Sequence, residues 1–127
     1  MTFPFLRAIT LHMRYLRMVE SCMKDPSIAY LYSDHHDCAF GQWYYSDETL
    51  DQLQTIQLED AQLLWQAIEK HHIDFHFATN AAMLAREEGA FDQMESDHVT
   101  LEQISTSLTN ALIALNQLIK QANQAAS

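Results

Sequence analysis

The stretch His71-His72-Ile73-Asp74-Phe75-His76 decides how the chain is read. His72 and His76 are four residues apart. On an α-helix that spacing turns the second side chain by only ~40° from the first, so both imidazoles leave one face a single turn apart. The flanking residues show that a helix holds them. Leu58, Ala61, Trp65, Ile68, His72, Phe75, His76, Thr79 and Met83 recur every three or four positions as one inner stripe, which predicts a helix over residues 56–86. Gly89 follows as its C-terminal punctuation.

The same periodicity appears on either side. Between Pro4 and Pro26, Phe5, Ile9, His12, Leu16, Val19 and Met23 form one buried stripe. Arg7, Arg14, Arg17 and Lys24 hold the outer faces and are read as solvated partners of neighbouring helices, not as a membrane-binding surface. Ile28-Ala29-Tyr30-Leu31-Tyr32 is apolar without a decisive period. Ser33 is expected to cap a short helix over residues 34–44, weakened at Gly41, and Ser46 offers a further cap before Asp47 and Glu48. A last helix is predicted over residues 91–121, with Met94, Leu101, Ile104, Leu108, Leu112, Leu115 and Leu118 inward, and Lys120 to Ser127 is expected to fray. Three long helices and one short one predict an all-α fold, an antiparallel four-helix bundle with residues 1–127 as a single domain.

Composition narrows the function. The 127 residues contain seven Lys and Arg against seventeen Asp and Glu, a net charge of −10, which argues against a nucleic-acid binder. Two Gly and two Pro favour helix, and two cysteines make no disulfide framework. Arg7, Arg14 and Arg17 interrupt any signal-peptide core, and no run of about 18 apolar residues exists to span a membrane. The expectation is a soluble, cytoplasmic domain.

The histidines suggest chemistry. His12 sits in the middle of one core stripe, and His72 and His76 sit on another. Three buried imidazoles are costly unless something satisfies their nitrogens, and a metal does so directly. Cys38, beside Ala39 and Gly41, is the natural fourth ligand, because a small residue and a glycine let the backbone approach the sulfur. Three nitrogens and one thiolate suit tetrahedral Zn²⁺. Asp37, Glu69 and Asp74 are candidates to orient the imidazoles.

Cys38-Ala39-Phe40-Gly41-Gln42-Trp43, followed by the His72-xxx-His76 pair and preceded by His12-x-x-Tyr15, resembles the chemoreceptor zinc-binding (CZB) domain. The resemblance implies a four-helix bundle holding one zinc on His12, Cys38, His72 and His76. It also implies a regulatory domain with no enzymatic activity, often dimeric, of the kind found in bacterial chemoreceptors and diguanylate cyclases. Such domains respond to zinc level and to oxidants such as hypochlorous acid. The expected partners are therefore a second copy of the chain and, in trans, a chemoreceptor or diguanylate cyclase. No effector sequence follows the bundle, so the expectation is action in trans or as the sensor part of a longer protein.

Other residues and readings carry less weight. His71 lies ~140° round the helix from His76 and should face away. His35 and His36 are close enough to Cys38 in sequence to compete for metal, but exposed, solvated side chains are expected. Cys22 lies ~15 Å along the first helix from His12, too far to share its ion, and is expected to be a buried thiol. His98 lies near an apolar stripe. The rival from another class is a ferritin-like di-iron enzyme built on Glu69-x-x-His72 and Glu95-x-x-His98. In a hairpin turning at Gly89 the two histidines would be offset by about 12 Å, whereas paired metals lie only ~4 Å apart. A purely structural zinc mediating dimerisation is the other alternative.

Overall fold

The computed structural model describes residues 4–126. Five helices follow one another: α1 (Phe5–Lys24), α2 (Ala39–Tyr44), α3 (Asp47–Gln54), α4 (Glu59–Glu87) and α5 (Phe91–Ala126). Helices α1, α4 and α5 are the long members. The fourth corner of the bundle is filled by α2 and α3 in succession.

The ends of the long helices follow their sequence. Pro4 precedes the first turn of α1, and Asp25 adopts an extended backbone before Pro26, which disfavours further helix. Glu59 and Asp60 occupy the first turn of α4, where the helix dipole favours negative charge. Gly89 takes a φ of 73°, and Ala90 N–H reaches back to the Ala85 carbonyl at 2.9 Å. That is a Schellman ending, and it turns α4 directly into an antiparallel α5. Helix α5 continues through Ala126, past the expected end at Gln121, and Ser127 lies outside the described residues.

The short helix differs from expectation. It begins at Ala39, not at Asp34, and its N-cap is Cys38, whose sulfur accepts the Gly41 N–H at 3.2 Å. Asp34 withdraws the preceding residues from helix, because its carboxylate takes the His36 backbone N–H at 2.8 Å in a local turn. Ser33 Oγ is 2.8 Å from the hydroxyl of Tyr15 instead of capping a helix. Ser46 does cap, accepting the Thr49 N–H at 3.2 Å, and this defines α3 as a separate helix.

The apolar core has two parts. One gathers Ala8, Phe40, Trp43, Trp65, Ile68, Leu108 and Leu112. The other gathers Leu16, Val19, Phe75, Met83, Met94 and Leu101. Between them runs a polar layer: His12 lies between Ala8 and Leu16 on α1, His72 between Ile68 and Phe75 on α4, and Ser105 between Leu101 and Leu108 on α5. His12, His72, His76 and Ser105 are all buried.

Candidate metal centre

Helix α4 presents His72 and His76 from one face, one turn apart, with ring centroids 4.8 Å apart and planes at 84°. Cys38 enters from the start of α2. Its thiol lies 3.2 Å from His72 Nε2 and donates weakly to the His35 carbonyl at 3.6 Å. Gly41 permits this approach, because a Cβ there would overlap the His35 carbonyl oxygen. Donor atoms of Cys38, His72 and His76 all lie within 4.8 Å of one another, and all three residues are buried.

The two ring nitrogens of His76 differ in their surroundings. Nδ1 lies 3.2 Å from the Ser33 carbonyl, which can only accept, so Nδ1 carries the proton. Nε2 is then a buried acceptor, and it has no partner among the described residues. Leaving such a group unpaired costs about 1–3 kcal/mol. A carbonyl on one ring nitrogen and an open lone pair on the other is the usual setting of a metal-ligating histidine.

His12 stands apart. It is not among the three residues whose donor atoms converge, and its Nε2 is 2.7 Å from Ser105 Oγ. Its ring packs edge-on against Phe75 with centroids 4.8 Å apart. It is nonetheless close enough for mutual electrostatics. Burial pushes the His12 imidazole down to about 4, with further lowering by His76. Burial likewise pushes His72 down to about 3, helped by His76 and His12. His76 is lowered by burial, against the opposing hydrogen bond to the Ser33 carbonyl. Burial raises the Cys38 thiol, while the Gly41 N–H acts the other way. The metal-free centre is therefore neutral at pH 7. The imidazoles need lose no proton to bind a cation, and only the thiol must.

Of the carboxylates expected around the centre, Asp37 is close enough for its charge to raise the Cys38 thiol further, while the other two are engaged elsewhere. Glu69 accepts from the Tyr45 hydroxyl at 2.7 Å, and Asp74 pairs with Lys70 at 3.0 Å. The groups that hold His76 and Cys38 in place are the Ser33 carbonyl and the Gly41 N–H, and Ser105 holds His12 beside them. No sequence signal marked Ser33 or Ser105 for this role, since a backbone carbonyl and a small buried hydroxyl have no period of their own.

Two further groups of donors occur among the described residues. Asp34, His35 and His36 form one at the surface. His98 forms the other, between Glu20 at 3.0 Å and Glu102 at 2.8 Å. His98 thus pairs with α1 and its own helix and not with Glu95, and no group joins the two Glu-x-x-His motifs. Cys22 is buried in the second half-core, 3.9 Å from the Met18 sulfur. No described helix is long and apolar enough to cross a membrane.

No curated protein and no solved structure matches the chain. A family model described as the chemoreceptor zinc-binding domain matches residues 12–83, a segment that begins at His12 and takes in Cys38, His72 and His76. The match spans more than half of the 127 residues, and with a buried thiol–imidazole centre in an all-α bundle the chain belongs to the CZB family of zinc-binding domains.

Proposed function

We propose that the chain is a sensory domain that reports zinc availability, or oxidation of its own Cys38, to chemotaxis or cyclic-di-GMP machinery. The observation that carries this reading is the buried, unpaired Nε2 of His76 beside the Cys38 thiol and His72. Cys38, His72 and His76 would hold the ion. We assign His12 as the fourth donor; Ser105 engages its Nε2, so Nδ1 is the nitrogen left for a metal. When bound, zinc would keep the sulfur of Cys38 deprotonated and cross-link α4 to the start of α2.

The switch lies in the chain's own residues. Hypochlorous acid takes two electrons from the Cys38 sulfur and transfers its oxygen to it, leaving a sulfenic acid and chloride. A sulfenic acid is a poorer donor than a thiolate, so the anchor between Cys38 and His72 weakens. This anchor joins the start of α2 to α4 beside the packing of Phe40, Trp43 and Tyr44, and its loosening changes the surface the bundle offers to a partner.

We also infer a homodimer. Leu63, Phe77 and Leu84 are 56%, 74% and 50% exposed, and they fall at multiples of seven residues along α4, the spacing of a helix–helix seam, with Lys70, paired to Asp74, at the position between Leu63 and Phe77.

Metal analysis tests the centre. One zinc per chain is expected, lost in Cys38→Ser and His76→Ala. Treatment of the zinc-loaded protein with hypochlorous acid tests the switch. Zinc release with altered helix packing supports sensing. Zinc that stays bound, with helicity and association unchanged, leaves a purely structural ion.

A further inference from the structure

Just outside the buried centre lies a second set of donors to which the function above gives no role. Asp34 Oδ1 is 2.7 Å from His36 Nδ1 and 3.3 Å from His35 Nδ1. The two imidazole centroids lie 4.1 Å apart, with the rings tilted by 39°. We propose that Asp34, His35 and His36 form a solvent-facing site that captures a divalent transition-metal ion and passes it inward, a proposal that rests on Cys38, His72 and His76 being the resident zinc site.

The donor geometry favours capture. One carboxylate oxygen serves two ring nitrogens, so three donor atoms already converge on a small volume. Zinc binds such nitrogens and oxygens at ~2.0–2.2 Å, which places donors on one ion about 3 Å apart. An arriving cation takes the place of the Nδ1 protons that face the carboxylate, each ring keeping its proton on Nε2 instead. The Asp34 carboxylate also accepts the His36 backbone N–H, which fixes the turn. The His36 ring rests on Tyr45 at 4.6 Å, and Tyr45 is in turn held by Glu69. Gly41 lets the His35 backbone lie flat against α2.

Position supplies the second half of the proposal. The His36 side chain is 58% exposed and that of His35 only 20%, so the pair steps from solvent towards the interior. The His35 ring centroid lies 6.1 Å from that of His72, and the His35 carbonyl accepts from the Cys38 thiol. A hydrated ion cannot enter a buried centre without shedding its waters. Exchange of some of them for Asp34, His36 and then His35 divides that dehydration into smaller steps. With one carboxylate, two imidazoles and remaining water, the outer site binds more weakly than a thiolate centre, as an entry site must.

The test uses the full chain, stripped of metal and titrated with Zn²⁺ against a chelating dye, with loading followed by stopped flow. The wild type is expected to bind one ion tightly and a second more weakly. The double variant His35→Asn/His36→Asn should keep the tight site at unchanged affinity and keep its helicity, lose the weak site, and load about tenfold more slowly, a change of about 1.4 kcal/mol in the entry barrier. Asp34→Asn should slow loading in the same direction. Wild-type loading rates in the double variant overturn the proposal, whether or not a weak site is lost. If Cys38→Ser leaves the tight site intact, the error lies in the assignment of the buried centre instead.

Discussion

Gly41 shows how one absent side-chain atom shapes the centre. A Cβ there would overlap the His35 carbonyl, and both that carbonyl and the Gly41 N–H contact the Cys38 sulfur, at 3.6 and 3.2 Å. Gly41→Ala must push the two segments apart. It is expected to destabilise the fold by about 1–3 kcal/mol and to weaken zinc binding, read by a urea melt and by dye competition; an unchanged pair of values would mean that the sulfur does not depend on this approach. The imidazoles supply a second prediction. In the metal-free protein His12 and His72 are held down at about 4 and about 3, against 6.5 for the ordinary side chain. As pH falls below about 6.5 the unfolded chain takes up these protons while the folded one does not. Stability is therefore full above that pH and is lost progressively as pH falls towards 4, by on the order of 1.4 kcal/mol per pH unit for each histidine. Urea midpoints measured at pH 7.5 and 4.5 with a chelator present should differ in that sense, and equal midpoints would show that the histidines accept protons within the folded state.

At the scale of elements, α2 is the part that depends on the centre. It has only six residues, and Cys38 is its N-cap. It is also tied to α4 by the Tyr44 hydroxyl on the Trp65 carbonyl at 2.7 Å, by Tyr44 stacked on Trp65 at 3.9 Å, and by the Trp43–Trp65 and Phe40–His72 ring contacts at 5.7 and 4.6 Å. Removal of zinc, or oxidation of Cys38, is expected to raise amide hydrogen exchange across residues 33–44 while α4 and α5 stay protected, because the long hairpin is held by its own apolar seam. Exchange that rises evenly through all helices would instead mark the ion as a support for the whole bundle. The same contrast explains what the sequence made legible. The long helices could be read because an apolar stripe of many turns outweighs any local preference, and His72 and His76 came with theirs. The start of α2 could not, because Asp34 and Cys38 each redirect one or two backbone N–H groups through side-chain bonds that have no period. Ser33 has the side chain of a helix cap and instead meets Tyr15 through its hydroxyl and His76 through its carbonyl. His12 could be placed on a buried stripe, but the stripe says nothing of Ser105, which holds its Nε2 from a residue 93 positions away.

At the scale of the whole molecule, the polar layer divides the core and the outer face of α4 is left uncovered. Leu63 and Leu84 lie 21 positions apart on that helix, about 30 Å at 1.5 Å per residue, with Phe77 between them the most exposed of the three at 74%. In a two-fold dimer each copy offers the same row to the other, so Phe77 of both chains lies in one seam. Phe77→Lys should then convert the dimer to monomer in sedimentation equilibrium and leave zinc content unchanged, since α4 turns Phe77 to solvent and His76 inward. The charge of each chain makes the expectation sharper. Two copies at −10 repel one another, and added salt screens that repulsion over about 10 Å at 0.1 M while leaving apolar burial intact. An interface built on the apolar row must therefore tighten as salt is raised from low ionic strength, whereas one built on ion pairs would loosen. Wild-type protein that stays monomeric at high salt, or a Phe77→Lys variant that still dimerises, removes this face from consideration.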